Sequence, residues 1–470
     1  MKVEQIYTGC LAQGAYYIES AGEAAIIDPL RESAPYIEKA QREGANIKYV
    51  FETHFHADFV SGHVDLSQKT GAKIIYGPGA NADFDFYESK DGEEFPLGDI
   101  KIKVLHTPGH TLESATYLLI DENGKEAAIF SGDTLFIGDV GRPDLAQKGN
   151  LTQEGLAGML YDSLRSKIMT LPDDVVVYPA HGAGSACGKN MSKETSDTLG
   201  HQKETNYALN AKLTKPQFIE AVLDGLLPPP QYFAQNVAMN KSEAIGLDKV
   251  LEKGQVPLDP DTFESIANHE GALVLDTRSA AAFAEEHVPN SIFIGIDGGF
   301  APWVGALIPD LQQAIVFISD EGREEEVVTR LSRVGYDNTL GYLKGGLSAW
   351  KAGGKETESI KSIPAEELEN SLNSHELNIL DVRKPGEFTA EHVKEAFNLP
   401  LDYLNSNMHE LDKNKTYHIH CAGGYRSMIA SSILKSRGFE HLVDIAGGFN
   451  AISKTNVPTT EYVCPTTVAK

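Results

Sequence analysis

The chain has 470 residues, a formal net charge of −26 at pH 7 and four cysteines. At roughly 150 residues per domain, this length predicts about three domains, each large enough for its own core. The acidic balance argues against nucleic acid or an anionic membrane as a partner, because both bind basic surfaces.

The cysteines and the N-terminus bear on where the protein works. Cys10, Cys187, Cys421 and Cys464 are widely separated, which excludes a disulfide framework and fits a reducing compartment. The first residues, MKVEQIYTGC, contain no apolar core of signal-peptide length, and no apolar run approaches the ~20 residues of a membrane helix. We therefore expect a soluble, cytoplasmic protein without a membrane partner.

The first part of the chain contains short apolar runs bounded by Gly, Pro or polar residues, which is typical of β-strands. Several of these runs end directly on His or Asp. Strand ends that bring polar side chains to one rim are how an α/β sandwich forms a site. The runs are AYYIES, EAAIIDP, IKYVFETH, KIIYGP, IKIKVLHTPGH, SATYLLID, EAAIFSGD and DVVVYPAHG.

After about residue 190 the sequence becomes helical and polar, and the region 245–258 has the character of a boundary. We predict a first domain over 1–245. The helical segment near 190–245 is a candidate surface for homo-oligomer formation.

The remaining sequence contains an internal repeat. ALVLDTRSAAAFAEEHVPNSI, from Ala272, matches LNILDVRKPGEFTAEHVKEAF, from Leu377. RVGYDNTLGYLKGGLSAW, from Arg333, matches SRGFEHLVDIAGGFNAI, from Ser436. Strands alternate with helices, so a parallel sheet is expected in each copy. We predict a first copy over 258–357 and a second copy over 363–464.

A cluster of metal-ligand residue types lies in the first domain. The segment THFHADFVSGH, from Thr53 to His63, is joined by His110 in TPGHT, Asp133 in SGDTL and His181 in YPAHG. Over about residues 1–240 these motifs resemble the metallo-β-lactamase superfamily. The resemblance implies an αββα sandwich with metal bound at one rim.

The chain departs from the superfamily at one position. The usual motif is HxHxDH, which binds two metals with the Asp after SG as the bridge, but its last His is Phe59 here. A phenyl ring has no electron pair to donate to a metal, so the second site loses a ligand. His54, His110 and Asp133 remain the best-formed set.

Two imidazoles and one carboxylate are the ligands of non-haem Fe(II) oxygenases, which leave positions open for substrate and O2. Among superfamily members the chain resembles the persulfide dioxygenases, and this implies one Fe(2+) per chain on His54, His110 and Asp133. His56, Asp58 and His181 are then expected to orient the ligands and the substrate. A weak second metal on these three residues is the competing interpretation.

Two further residues of this domain are candidates for substrate binding. Arg142, in the segment Gly141-Arg142-Pro143-Asp144 that strengthens the resemblance, is suited to an anionic substrate, with an ion pair to Asp144 as the alternative. Cys187 follows His181 closely and is a candidate persulfide-carrying thiol, with a buried, inert thiol as the alternative. Cys10 and Cys464 are expected to be incidental.

The second copy carries the segment Cys421-Ala-Gly-Gly-Tyr-Arg426-Ser427 between an apolar strand and a helix. Backbone amides of such a loop, the helix N-terminus and Arg426 favour the thiolate, which is the nucleophilic form. The repeats resemble rhodanese sulfurtransferase domains. Cys421 and Arg426 are therefore expected to be catalytic, and Gly423, Gly424 and Tyr425 to bind the substrate.

In the first copy Asp320 replaces the cysteine and Glu325 replaces the arginine. A carboxylate accepts no sulfane sulfur, so this copy is expected to be inactive in transfer and to pack the first domain against the second copy. The pairs Asp276 with Arg278 and Asp381 with Arg383 are expected to be internal ion pairs.

Together the parts predict an enzyme that clears excess sulfide or persulfide. The iron domain would oxidise a low-molecular-weight persulfide with O2 to sulfite, and Cys421 would transfer sulfane sulfur to the sulfite to give thiosulfate. The reverse use of Cys421, to supply persulfide to the iron, is equally compatible with the residues. One rival is a glyoxalase-II-like thioester hydrolase with two metals, and another is a non-catalytic sulfur sensor.

Overall fold

The structure is a computed structural model and describes residues 1–146, 151–372 and 377–464. The described chain forms two compact units. The first holds residues 1–249 together with 331–335, and the second holds the rest. Within the described residues, no helix combines the length and the apolar character required to cross a bilayer.

Among its described residues, the first unit contains two six-stranded sheets and six α-helices, and a seventh helix spans the boundary between residues 249 and 250. The first sheet has the strand order 1-2-3-4-5-6 and the second has the order 12-11-10-9-8-7. The strands are β1 Lys2–Thr8, β2 Gln13–Ser20, β3 Glu23–Ile27, β4 Asn46–Phe51, β5 Lys73–Tyr76, β6 Tyr87–Glu88, β7 Glu94–Leu97, β8 Ile100–His106, β9 Ala115–Ile120, β10 Glu126–Gly132, β11 Val176–Pro179 and β12 Asp197–Thr198. The helices are α1 Ala34–Glu43, α2 His63–Thr70, α3 Gln153–Ser163, α4 Leu199–Thr205, α5 Lys215–Leu223, α6 Phe233–Asn240 and α7 Leu247–Gly254.

Alternation along the strands creates the layers. In β2, Tyr16 and Ile18 face the second sheet, while Ala15 and Tyr17 face α1 and α2. In β10, Phe130 faces the first sheet and Ile129 faces α3 and α5. Both sheets are therefore buried on both faces, and the predicted sandwich with outer helices is confirmed.

The second unit contains two five-stranded sheets of the same topology. Their orders are 13-17-16-14-15 and 18-22-21-19-20, and every strand pair is parallel. The predicted repeat with a parallel sheet in each copy is thus confirmed. The strands are β13 Pro257–Leu258, β14 Leu273–Asp276, β15 Ile292–Phe293, β16 Ile315–Ile318, β17 Thr339–Leu343, β18 Lys361–Ile363, β19 Asn378–Asp381, β20 Phe397–Asn398, β21 Tyr417–His420 and β22 Leu442–Ile445. The helices are α8 Pro260–His269, α9 Ala280–Glu285, α10 Phe300–Leu307, α11 Glu324–Ser332, α12 Gly346–Ala352, α13 Ala365–Leu372, α14 Pro385–Ala390, α15 Leu404–Asn407, α16 Tyr425–Ser436 and α17 Gly448–Ile452.

The strand directions bring the candidate ligands to one rim. β8 and β10 are both antiparallel to β9, and β11 is parallel to β10, so β8, β10 and β11 all end at the same edge of the second sheet. His110, Asp133 and His181 follow these three ends. The rim is the site that the sequence pattern predicts for an α/β sandwich.

Candidate metal centre and sulfur loop

His54, His110 and Asp133 converge on one point. Oδ2 of Asp133 lies 3.3 Å from Nε2 of His110 and 3.9 Å from Nε2 of His54. All three residues are buried, and their potential ligand atoms lie within 4.8 Å of one another. The predicted ligand set is thus brought together at the end of β4, β8 and β10.

Both imidazoles are oriented by hydrogen bonds at Nδ1. The Asp28 carboxylate accepts from the Thr53 amide at 2.7 Å and from Thr53 Oγ1 at 2.8 Å. Since its own proton goes to Asp28, Thr53 Oγ1 accepts from His54 Nδ1 at 3.0 Å. His110 Nδ1 donates to the Arg142 carbonyl at 2.8 Å. Protons on Nδ1 leave both Nε2 lone pairs directed at Asp133, which is the tautomer that binds a metal.

The donor set fits a divalent cation. Neither carboxylate oxygen of Asp133 has a hydrogen-bond donor among the described residues, although both are buried. A buried carboxylate without a partner is very unfavourable, and a cation would satisfy it. Burial, together with the neighbouring histidines, also lowers the pKa of His54, so its ring is neutral and able to bind a metal.

A second cluster adjoins the first. His56, Asp58 and His181 place potential ligand atoms within 4.8 Å of one another, and His181 Nε2 lies 3.5 Å from both Asp58 Oδ1 and Asp133 Oδ1. The Phe59 ring is buried beside this cluster, with its centroid 4.4 Å from that of His56. Where the superfamily motif has a further imidazole, this cluster has a hydrocarbon surface.

His56 is held toward two acidic side chains. Its Nε2 lies 3.1 Å from Asp28 Oδ1 and 3.5 Å from Glu52 Oε2. Burial opposes protonation of His56, but Asp28 and Glu52 outweigh it and raise its pKa to about 9. Burial also raises the pKa of Glu52 well above its usual range. Asp28, Glu52 and Thr53 were not predicted to be functional. The available signal was the position of Asp28 directly after a buried strand.

Arg142 adopts the ion-pair alternative. Its guanidinium makes a two-point contact with Asp144, with both N–O distances at 2.7 Å, and it also donates to the carbonyls of Ala186 and Leu227. Only 5% of the residue is exposed. A role in meeting an anionic substrate stays a prediction, whereas its backbone carbonyl has a visible role in orienting His110.

Cys187 lies at the rim of the metal centre. Its sulfur is within 4.8 Å of ligand atoms of Asp133 and His181, and the residue is buried. Burial, with Asp58 and Asp133 adding to it, raises the pKa of the Cys187 thiol well above its usual range. The side chain is therefore a neutral thiol in this arrangement, and the predicted persulfide-carrying role remains a prediction.

The Cys421 loop has the predicted strand–loop–helix form between β21 and α16. The Gly424 amide donates to Cys421 Sγ at 3.1 Å, and Gly424 takes a φ of 101° that favours glycine. At the other side of the loop, Ser427 Oγ donates to Asp444 Oδ1 at 2.7 Å. Gly423 and Gly424 thus allow the backbone to fold an amide onto the sulfur.

Arg426 forms an ion pair with Glu387, a residue that was not predicted from the sequence. Its two terminal nitrogens donate to the Glu387 carboxylate at 2.7 and 2.8 Å. This hydrogen bonding raises the pKa of Arg426. Tyr425, also predicted to bind substrate, donates its hydroxyl to the Gly295 carbonyl of the first copy at 2.6 Å.

The first copy shows the expected acidic loop. Arg323 stands at the position that corresponds to Gly424, and it pairs with Glu326 at 2.8 Å and with Asp297.

The two predicted internal ion pairs are confirmed, because Asp276–Arg278 and Asp381–Arg383 both have N–O distances of 2.6 Å.

Comparison with known proteins matches both parts of the chain. The metallo-beta-lactamase superfamily matches residues 8–181, and the rhodanese-like domain matches residues 259–353 and 364–455. A metallo-beta-lactamase from Staphylococcus aureus has a crystal structure that is 33% identical and covers 73% of this chain and 99% of its own, with a TM-score of 0.66. The similarity to this crystal structure therefore extends over the metallo-β-lactamase-like part and into the rhodanese-like part of the chain.

Curated relatives of the first part carry two different names. The human mitochondrial persulfide dioxygenase is 32% identical over 42% of this chain and 76% of its own. A hydroxyacylglutathione hydrolase from Tolumonas auensis is 35% identical over 35% of this chain and 60% of its own. The chain spans 60% and 58% of the length of two hydrolase relatives, those of Tolumonas auensis and Schizosaccharomyces pombe.

Gly141→Ala should remove metal without changing any ligand. A Cβ at Gly141 would lie 2.0 Å from the Asp133 carbonyl oxygen, so the segment that carries Asp133 must shift. We expect metal affinity to fall about tenfold or more, as for other changes that disturb ligand orientation. Metal content after dialysis, measured by mass spectrometry, checks this.

The matched control is Gly155→Ala in α3, where the nearest atom to a new Cβ is 3.7 Å away. This variant should keep the metal content of the parent chain. Equal metal content in the Gly141→Ala variant would contradict the assignment of Asp133 as a ligand.

Proposed function

Because the chain belongs to the metallo-β-lactamase superfamily and carries two rhodanese-like domains, we propose that it is a persulfide dioxygenase joined to a sulfurtransferase. Its first domain would oxidise a low-molecular-weight persulfide with O2, and the second rhodanese-like domain would transfer sulfane sulfur through Cys421. The relative named persulfide dioxygenase supports the first activity.

The proposal for the metal centre rests on the ligand types present and on the phenyl ring beside them. His54, His110 and Asp133 form a complete set of two imidazoles and one carboxylate, while a buried phenyl ring, Phe59, stands beside the neighbouring cluster. Such a set is typical of mononuclear non-haem Fe(II) sites with open positions. We propose one Fe(2+) per chain on these three residues.

The residues around the metal site would orient its ligands and enclose a bound sulfur anion. When bound, ferrous iron would supply coordination positions for a persulfide and O2 together and the electrons for oxygen chemistry. Asp28, through Thr53, and the Arg142 carbonyl hold the two imidazoles in place. His181 and Cys187 line the same buried rim, which would keep bulk water away from the reacting sulfur.

The overall reaction balances without a further oxidant. A persulfide, O2 and water give a thiol and sulfite, and a second persulfide with sulfite gives a thiol and thiosulfate. Cys421 would carry the sulfur in the second step as a cysteine persulfide, with the Gly424 amide on its sulfur. Covalent linkage of the two activities raises the effective concentration of sulfite near Cys421. The opposite flow, from Cys421 to the iron, remains an alternative.

The rival activity is thioester hydrolysis at two metals, as the names of the hydrolase relatives suggest. The adjoining cluster of His56, Asp58 and His181 could hold a second metal. Phe59 argues against this hydrolase, because a phenyl ring at position 59 removes one nitrogen ligand from the second metal site. The dioxygenase is therefore the function that the site supports better.

Substitutions should separate the two activities of the chain. We expect Asp133→Ala to abolish oxygen uptake with glutathione persulfide, since the iron loses its only carboxylate in the proposed set. Cys421→Ser should keep oxygen uptake within about twofold but lose thiosulfate and accumulate sulfite, because sulfur has no carrier. An oxygen electrode and ion chromatography of sulfite and thiosulfate measure both. Unchanged thiosulfate yield in Cys421→Ser would contradict the coupled scheme.

Phe59→His should convert the second cluster into a metal site. The new imidazole would restore the missing ligand beside His56 and His181, so we expect the metal content to rise from about one to about two per chain. Oxygen uptake should fall and hydrolysis of a glutathione thioester should appear. Phe59→Leu, the apolar control, should keep one metal per chain. Two metals in both the parent and the Leu variant would contradict the role given to Phe59.

A further inference from the structure

The side chain of Tyr425, the first residue of α16, contacts the first copy. Its hydroxyl donates to the Gly295 carbonyl at 2.6 Å, and its ring meets Phe293 edge to face, with centroids 5.8 Å apart. Burial raises the pKa of Tyr425, so the phenol stays a neutral donor. This residue lies within the loop that carries Cys421.

The first copy is shaped to receive this ring. A Cβ at Gly298 would lie 2.4 Å from Cζ of Tyr425, so any side chain at position 298 would exclude the ring. We name the group of Phe293, Gly295 and Gly298 the Tyr425 socket. The socket offers one hydrogen-bond acceptor, one aromatic edge and a space without a side chain.

A second contact fixes the same face of α16. β15 is the edge strand of its sheet, and its outer Phe293 amide donates to Ser432 Oγ at 3.0 Å. Ser432 lies about two turns along α16 from Tyr425, on the same helix face. The amide would otherwise be an unpaired edge donor. Two points of α16 are therefore fixed by the first copy.

The two contacts of α16 with the first copy also affect the loop that carries Cys421. The loop between β21 and α16 includes Gly423 and Gly424, whose backbone is permissive, and the Gly424 amide is the one that donates to Cys421 Sγ. One end of the loop is fixed by β21 in the sheet. The other end is fixed where Tyr425 enters the socket, so the socket determines where the Gly424 amide points.

We propose that the first copy, which has no cysteine of its own, is a positioning element for the sulfur chemistry of the second copy: the Tyr425 socket fixes the N-terminus of α16 and thereby holds the Gly424 amide on Cys421 Sγ. Tyr425 and Ser432 are positioning residues. The proposal rests on the sulfurtransferase part of the proposed function. It explains how a copy with Asp320 in place of cysteine remains useful to the chain.

The test uses the full chain with Tyr425→Phe and Ser432→Ala. The rate at which iodoacetamide alkylates Cys421 is followed against pH by mass spectrometry of the Cys421 peptide. An amide donated to the sulfur favours the thiolate, so its displacement should move the alkylation profile of both variants to higher pH. Thiosulfate formation from glutathione persulfide and sulfite should fall about fivefold in Tyr425→Phe, as expected for one lost neutral hydrogen bond.

The matched control is Tyr403→Phe, a loss of one hydroxyl from an exposed tyrosine of the same copy. It should keep the profile of the parent chain. Parent-like alkylation profiles in both Tyr425→Phe and Ser432→Ala would overturn the proposal. If Tyr425→Phe does not fold, Ser432→Ala decides the question alone.

Alkylation requires neither persulfide nor O2, so it separates this proposal from the proposed function. A chain that forms no thiosulfate at all would refute the sulfurtransferase, while the alkylation profiles would still decide whether the first copy positions the loop.

Discussion

The Asp133 carboxylate is the constraint on which the first domain depends. It is buried at the end of β10 without a hydrogen-bond donor in the described chain, and two imidazoles present their Nε2 atoms to it. A buried carboxylate without a donor is costly, and a cation bound to Asp133 and the two imidazoles would offset that cost. Hydrogen bonds also orient the two imidazoles toward this carboxylate. Asp28 acts on His54 through Thr53, and the Arg142 carbonyl accepts from His110. Each bond leaves the Nε2 lone pair of the imidazole free for the metal.

The two rhodanese-like copies show how a duplicated domain can change its role. Both keep the same five-strand order, and in both a buried Asp at the end of the second strand pairs with an Arg two residues later. The copies differ in the loop: Gly424 folds its amide onto sulfur, whereas Arg323 at the matching position forms ion pairs on an acidic loop. The edge strand and glycines of the first copy contact α16 of the second copy.

The sequence predicted those features that depend on local patterns. The short apolar runs at β2 and β3 predicted strands, the repeat predicted two parallel sheets, and the strand ends predicted the rim where His110 and Asp133 lie. Short strands such as β6 and β12, at two residues each, have too little apolar pattern to predict. The contacts of the Arg142 carbonyl with His110 and of Glu387 with Arg426 could not be predicted, because each joins segments more than thirty residues apart and no local pattern pairs them.

A single iron, held by His54, His110 and Asp133, should consume O2 when a persulfide is supplied. The direct measurement is the metal content of the anaerobically purified chain, paired with oxygen uptake on glutathione persulfide in the same samples, after loading with Fe(II) or with Zn(II). We expect about one iron per chain and oxygen uptake that rises in proportion to iron, with no uptake in the zinc-loaded sample. Two tightly held zinc ions, hydrolysis of a glutathione thioester and no oxygen uptake in the iron-loaded sample would contradict it.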